Sequence, residues 1–340
     1  MAITNVDILE RAQVKIEAVR GTAETTMTRW LYYPPQKFTW QYQQDLEEIE
    51  EITRTYATAV DRQLGIRTVR ANIELLLTYE EAVWWLNCAL DGGNLTGSTT
   101  GSTPPGYTYT LAQNVTADDL ASFTMKAGDT TNIYKFSRCM VNKATFRWNP
   151  QQGGETTWRM VAEIWAIFVG TTTYDSPTDQ TRTRILARGT KVYSDDTTLG
   201  SGQLLNTIRQ GEFTIDNQFE EKIFSENTVD PYADVARGAQ LVTGSIVMEN
   251  NAAGETEFGK MRAGTVRKLR ISQTGALIGS TPTTNYLWQV DFPNAKWMAP
   301  QKGYAGHNSI ITFPFVAQWT ASATQPVIVT DVNALASVTA

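Results

Sequence analysis

One long stretch of this chain is written twice, and that limits the folds open to it. Residues 134–165 read YKFSRCMVNKATFRWNPQQGGETTWRMVAEIW, and residues 286–319 read YLWQVDFPNAKWMAPQKGYAGHNSIITFPFVAQW. Each opens on an aromatic-rich run and passes a Val141-Asn142 or Pro293-Asn294 step. Each sets a tryptophan ahead of a proline (Trp148 before Pro150, Trp297 before Pro300). A turn with Gln and Gly follows, then an alternating strand that ends in tryptophan. The copies start 152 residues apart and end 154 apart, at 134 and 286 and at 165 and 319. That spacing predicts a duplicated domain of about 150 residues ending in a β-hairpin, rather than the short unit of a solenoid.

A length of 340 residues fits two such domains. Thr, Gln and Asn are abundant and charge is modest, which suits β-structure. The net charge of −6 argues against a general nucleic-acid binder, which presents a basic face. No apolar run approaches the roughly 20 residues of a membrane span. Asp7, Glu10, Arg11, Lys15 and Glu17 break up any apolar signal core, so the chain is expected to be made in the cytosol. Cys88 and Cys139 lack metal or CxxC spacing and read as two reduced, packed thiols.

Residues 1–29 read as an N-terminal arm. Val6, Ile8, Leu9, Val14 and Ile16 are separated by charges, and a polar Gly-Thr-Ala-Glu run follows. Such a segment orders on a partner or forms an edge strand of its own domain. From Phe38 the pattern alternates strictly: Phe38, Trp40 and Tyr42 on one face, Thr39, Gln41 and Gln43 on the other. That is a half-buried strand. Residues 45–66 are a long excursion from the sheet, opening on acidic residues in an exposed strand or a helical turn, and 68–77 return as a strand. A helix is expected over 79–90. Thr78 and Glu81 form a capping box, Val83, Leu86 and Leu90 share a face, and Gly92-Gly93 ends it. Trp84 and Trp85 are adjacent and are not expected to face one core, so one of them meets a loop or a neighbouring chain.

A polar stretch over 170–183 marks the domain boundary. The second copy repeats the plan: an alternating strand at 212–216, an excursion over 217–240, and a strand over 241–248. A shortened helix over 255–261 follows, with Phe258 and Met261 inward and Gly259 interrupting it; a strand and the second hairpin complete the copy. The fold class is therefore mainly β, with two tandem β-sandwich or flattened-barrel domains (30–170 and 171–320), each with a flanking α-helix. Residues 321–340 form a C-terminal tail expected to lie across a neighbour.

Chemistry is sparse. His307 sits in a glycine turn beside Ser309 with no orienting acid, and a single histidine weakens a zinc-hydrolase reading. The doublets Asp118-Asp119, Asp195-Asp196, Glu47-Glu48 and Glu50-Glu51 read as solvated faces or inter-subunit ion pairs rather than a glycosidase pair. No phosphate-cradling glycine loop is present. The basic patch Arg262, Arg267, Lys268 and Arg270 is too small for duplex DNA and is expected to meet carboxylates of a neighbouring chain. No catalytic, metal or cofactor site is expected, and a structural protein rather than an enzyme remains. Long strands with polar faces leave edges that invite pairing, and a polymer satisfies them by using them.

The chain resembles the tail tube proteins of phages with long non-contractile tails, in their two-domain version. The resemblance rests on the arm ending Gly21-Thr-Ala-Glu, the helix ending Ala89-Leu-Asp-Gly-Gly, Tyr107-Thr-Tyr-Thr and the run from Met140 to Phe146. In the second copy Val242-Thr-Gly-Ser-Ile-Val and the hairpin from Phe292-Pro-Asn carry it. It implies trimers whose six domains make a pseudo-hexameric ring, stacked helically in the virion tail and assembled in the host cytoplasm. The implied partners are further copies of the chain, the tape-measure protein inside the tube, terminator and distal tail proteins, and double-stranded DNA in transit.

A conduit should not grip DNA, and an acidic, polar lumen repels phosphates. Candidate lumen residues are Thr39, Gln41, Gln43 and Asp45 in copy one and Thr214, Asp216, Gln218 and Glu220 in copy two; the alternative is that these faces meet outer solvent. Candidate contacts between subunits or rings are Glu47, Glu48, Glu50, Glu51, Arg54, Trp84 and the four basic residues above. Two other readings stand beside this one: another phage ring protein such as a terminator or baseplate part, and a carbohydrate-binding β-sandwich using Trp84, Trp85 or Trp297.

Overall fold

The computed structural model describes residues 11–49, 61–90, 96–113, 120–129, 131–150, 156–222, 234–319 and 325–338. In chain order the first half holds β1 (Arg11–Ile16), β2 (Arg29–Leu31), β3 (Phe38–Ile49), β4 (Asp61–Leu76), α1 (Tyr79–Ala89), β5 (Ser98–Thr99), β6 (Tyr107–Ala112), β7 (Phe123–Gly128), β8 (Ile133–Trp148) and β9 (Arg159–Thr171). The second holds β10 (Lys191–Asp195), β11 (Ile208–Asp216), β12 (Phe219–Lys222), β13 (Asp234–Arg237), β14 (Leu241–Glu249), α2 (Ala252–Arg262), β15 (Arg267–Ser280), β16 (Thr283–Trp297), β17 (Gln301–Ala305), β18 (Asn308–Ala317) and β19 (Ile328–Asn333). The chain is mainly β, with strands paired antiparallel and all but β12 and β13 belonging to one branched sheet.

Strand pairing follows the same order in both halves. In the first, β1 pairs with β7, β7 with β8, β8 with β9, β9 with β4 and β4 with β3. In the second, β10 pairs with β15, β15 with β16, the end of β16 with β18, β18 with β14 and β14 with β11. Registers match too. Tyr42 lies opposite Val69 and Val69 opposite Ala166; Ile215 lies opposite Val242 and Val242 opposite Ala317. A constant shift of 173 residues relates 42 to 215, 69 to 242, the helix N-caps Thr78 and Asn251, and the helix ends Ala89 and Arg262.

α2 is therefore not shortened: both helices have 11 residues, and Gly259 lies inside α2. Asn251 caps it as Thr78 caps α1, each side chain accepting from a backbone N–H three residues on. α1 ends at Ala89 with Leu90 as its cap, before Gly92 and Gly93, which lie outside the described residues. The helices differ in burial. Every residue of α1 is buried, whereas α2 buries Gly254 and Glu257 and rests Phe258 and Met261 on the core. α1 lies against β6, β8, β16 and β19, so it is an interior element rather than a flank. Consequently Trp84 and Trp85 are both buried, edge to face at 4.9 Å, and Phe123 meets both.

Three further expectations change. β1 is held between β2 and β7 with Ala12 and Val14 buried, so Arg11–Ile16 take the alternative of a strand in the chain's own sheet, and an interior one rather than an edge. β19, expected on a neighbour, lies between β6 and β16 of its own chain. The first repeated hairpin forms as β8 and β9, but in the second copy Met298–Pro300 break the leading strand into β16 and β17, at a proline that supplies no backbone donor. Cys88 and Cys139 are free and fully buried, and burial pushes both thiols up.

Candidate assembly surface

The two halves are joined along two strand pairings, β6 with β19 and, at the seam considered next, β8 with β11. β8 gives its first part to β7 and its last part, Lys143–Trp148, to β11, with Lys143 opposite Asp216, Thr145 opposite Thr214 and Trp148 opposite Gly211. The sheet thus runs without a break through β3, β4, β9, β8, β11, β14 and β18. Alternation gives it two unlike faces. One is apolar: Ile73, Ala162, Ala144, Phe146, Phe213, Ile246 and Phe313 are all buried. Phe146 stacks on Phe213 across the seam at 4.8 Å, and Trp148 stacks on Trp158 at 4.6 Å.

The other face is mostly polar from β3 to β11, with Val161 and Trp165 set among its polar side chains and Leu241 beside Asp216. One row reads Thr39, Asn72, Glu163, Lys143 and Asp216 on successive strands. A second carries Thr145, Thr214 and Thr243, with the hydroxyl oxygens of Thr145 and Thr214 2.9 Å apart. Glu74 gathers Lys37 at 2.8 Å, Arg159 at 2.8 Å and Arg147 at 2.9 Å. Burial alone would raise its carboxyl. The hydrogen bonds from Lys37 and Arg159 and the charge of Arg147 override that and hold it down at about 2. Arg70 lies 3.4 Å over the Trp165 ring and pairs with Glu221. The face carries both signs of charge, with ion pairs gathered at Glu74 and between Arg70 and Glu221.

Thr39, Gln41 and Gln43 are exposed on this face, and Thr214 and Asp216 are partly buried on the same face at the seam. Gln218 leaves it: a left-handed backbone (φ 49°) follows the fully buried Asn217, and Gln218 and Glu220 are exposed at the start of the second excursion. Asn217 fixes that exit by donating to the carbonyls of Val141 (2.8 Å) and Ala89 (3.1 Å). The excursions have equal span, 42 to 69 and 215 to 242, but different build. The first continues β3 and β4 as a paired ribbon to Ile49 and Asp61; the second starts a separate pair, β12 and β13. The ion pair of Arg70 with Glu221 and the Phe219 ring 5.7 Å from Trp165 bring the two roots together. Glu50, Glu51 and Arg54 lie outside the described residues, as do the side chains of Asp45, Glu47 and Glu48, whose backbones belong to β3.

Several candidate contacts are internal. Trp84 is core. Arg267 is buried and donates to Glu257 from Nε (3.0 Å) and Nη2 (2.6 Å), and it pairs with Asp196. Arg270 grips Asp291 at 2.6 and 2.8 Å. Both guanidiniums are spent on carboxylates of their own chain, because the predicted patch is a sheet row facing β10, β16 and α2. Arg262 is exposed and Lys268 half-buried, and both remain candidates for contact. Trp84, Trp85 and Trp297 are all buried, so none of the three serves as the exposed platform of the carbohydrate reading.

Sequence patterning missed two features. Tyr304 on β17 is 81% exposed, the barest large apolar residue among those described, in a strand whose only signal is a Gln-Lys-Gly-Tyr run. A groove of about 410 Å3 lies at the end of the seam, lined by Arg147, Trp148, Gln210, Gly211, Glu212 and Ser245 among others. Among the described residues no group of His, Cys, Asp and Glu is arranged to hold a metal, and no helix is long and apolar enough to cross a membrane. No protein-family model matches the chain, and no curated protein matches it in sequence.

Proposed function

We propose that this chain is a self-assembling tail tube protein of a phage with a long non-contractile tail, built from two fused tube-type domains. The observation that carries the reading is the β8–β11 seam. Two sets of strands with the same pairing order are joined edge to edge into one sheet, and a single polar face continues across the join. A junction that links unlike halves of one chain in this way is the pattern a ring needs at every junction. Three copies would then make a ring of six domains, and stacked rings a tube enclosing the tape-measure protein and later passing DNA. The polar face would line the channel. The cations Lys37, Arg147 and Arg159 are held on Glu74 and Arg70 on Glu221, which leaves them less free to hold phosphates, as a conduit requires. The excursions and the exposed Arg262 would meet adjacent rings.

The test is negative-stain imaging with mass photometry on the purified chain. Hollow tubes, or trimers that grow into tubes, are expected. A single closed ring that never stacks would instead make it a terminator or baseplate ring, and a chain that stays monomeric at high concentration would overturn the assembly.

A further inference from the structure

β3 and β17 each use one edge among the described residues: β3 pairs with β4, and β17 with β18. Their structural counterparts use both. β11 is the counterpart of β3, and it pairs with β14 and β8. The last part of β8 is the counterpart of β17, and it pairs with β9 and β11. Inside the chain, then, the two second edges are joined to each other; at the ends of the chain the same two edges are open. We infer that β17 of one copy pairs antiparallel with β3 of the next copy, repeating between molecules the β8–β11 seam. This deepens the self-assembly reading and rests on it.

The register follows from the repeat. Thr145 lies opposite Val161 and Gln301 opposite Thr312, each partner standing five residues before the alanine, Ala166 or Ala317, that meets Val69 or Val242. Gln301 therefore stands where Thr145 does, and Tyr304 where Trp148 does. The 173-residue shift puts Gln41 where Thr214 is, Thr39 where Glu212 is and Phe38 where Gly211 is. Since Thr145 faces Thr214 and Trp148 faces Gly211, Gln301 faces Gln41, Gly303 faces Thr39 and Tyr304 faces Phe38.

The side chains at these places suit the join. Trp148 is 2% exposed in the internal seam, while Tyr304 in the same role is 81% exposed. A groove of about 220 Å3, lined by Tyr33, Phe38, Thr39, Trp40 and Gly128, lies beside β3 where the tyrosine would arrive. An aromatic side chain with a polar tip, left bare opposite an aromatic-lined groove, is the kind of group that anchors an interface. Both strands also present unpaired backbone donors and acceptors along their open edges. The contact is head-to-tail, so its rotation either closes a ring or runs on as a filament.

Two variants of the full chain test this. Gln41→Cys/Gln301→Cys places thiols on exposed, facing positions, while Cys88 and Cys139 are buried. Mild oxidation should give a covalent ladder from dimer upward that neither single variant gives. Gln41→Lys/Gln301→Lys sets like charges opposite each other and should remove every species above monomer in mass photometry; Gln41→Lys/Gln301→Glu should restore them. If the wild-type chain assembles while the oxidised double-cysteine chain runs as monomer and the double-lysine chain assembles unchanged, this pairing is wrong and the self-assembly reading stands. If the wild-type chain is monomeric at every concentration, both fall.

Discussion

Trp148 and Gly211 face each other across the β8–β11 seam, and the indole occupies the space a side chain on the glycine would need. A Cβ at Gly211 would also lie 3.0 Å from the Ser245 carbonyl oxygen. Neither neighbour can withdraw, since Trp148 is stacked on Trp158 and Ser245 is in the sheet. Gly211→Ala should cost about 1–3 kcal/mol by overpacking. Urea denaturation measures it, and an unchanged midpoint would mean the seam is looser than described.

Glu257 and Arg267 form the buried charge pair of the second half, and the carboxylate also accepts from Ser194 (3.0 Å) and Trp297 (2.8 Å). Removing Arg267 strands the Glu257 charge, whereas Arg267 also has Asp196. Arg267→Ala should cost about 3–5 kcal/mol, whereas Glu257→Met with Arg267→Met should recover much of the loss. A double variant as unstable as the single one would show that the hydrogen bonds, not the stranded charge, set the cost.

Glu74 predicts an acid sensitivity. Its folded carboxyl titrates at about 2, below the ordinary value of 4.5. The folded state therefore binds fewer protons, so this contribution is complete above about pH 5 and fades as pH falls towards 2. Thermal melts of wild type and Glu74→Gln should differ most near pH 6 and converge near pH 2. Parallel curves would remove Glu74 from the acid response.

β19 closes the core over α1. Val327 and Val329 are fully buried, and Arg29 donates to the Val338 carbonyl at 3.1 Å. Deleting residues 326–340 would bare α1 and open an edge on both β6 and β16. The expected result is dye binding to exposed apolar surface and rapid proteolysis. A truncated chain with the wild-type melting temperature would make β19 a mere appendage.

What was legible in the sequence was local. The alternation of Phe38 to Tyr42, the Thr78–Glu81 cap and the β8–β9 hairpin each depend on residues close in the chain. α2 was underestimated because its composition is weakly apolar and Gly259 suggests a break; the useful signal was Asn251, nine residues after Val242 as Thr78 is nine after Val69. Neighbouring helix positions point about 100° apart, which made two inward tryptophans look impossible on a flanking helix. β6 and β19, far apart in sequence, enclose α1 and make both inward. Arg267 and Arg270 read as a surface patch because their partners Glu257, Asp196 and Asp291 come from other elements. The seam was invisible for the same reason: which edge a strand uses is not encoded in its own alternation.

The two excursions span the same number of residues but are built differently where they are described, one extending the β3–β4 pairing as far as Ile49 and Asp61 and the other starting a detached pair turned by Asn217 and Gln218. Around a closed ring of three copies these struts would alternate in kind at every second position. A ring set on top would then find three matching seats rather than six, as a keyed coupling does. Each layer would pass its angular setting to the next, so the twist of the whole tail would be fixed at its first ring and copied thereafter.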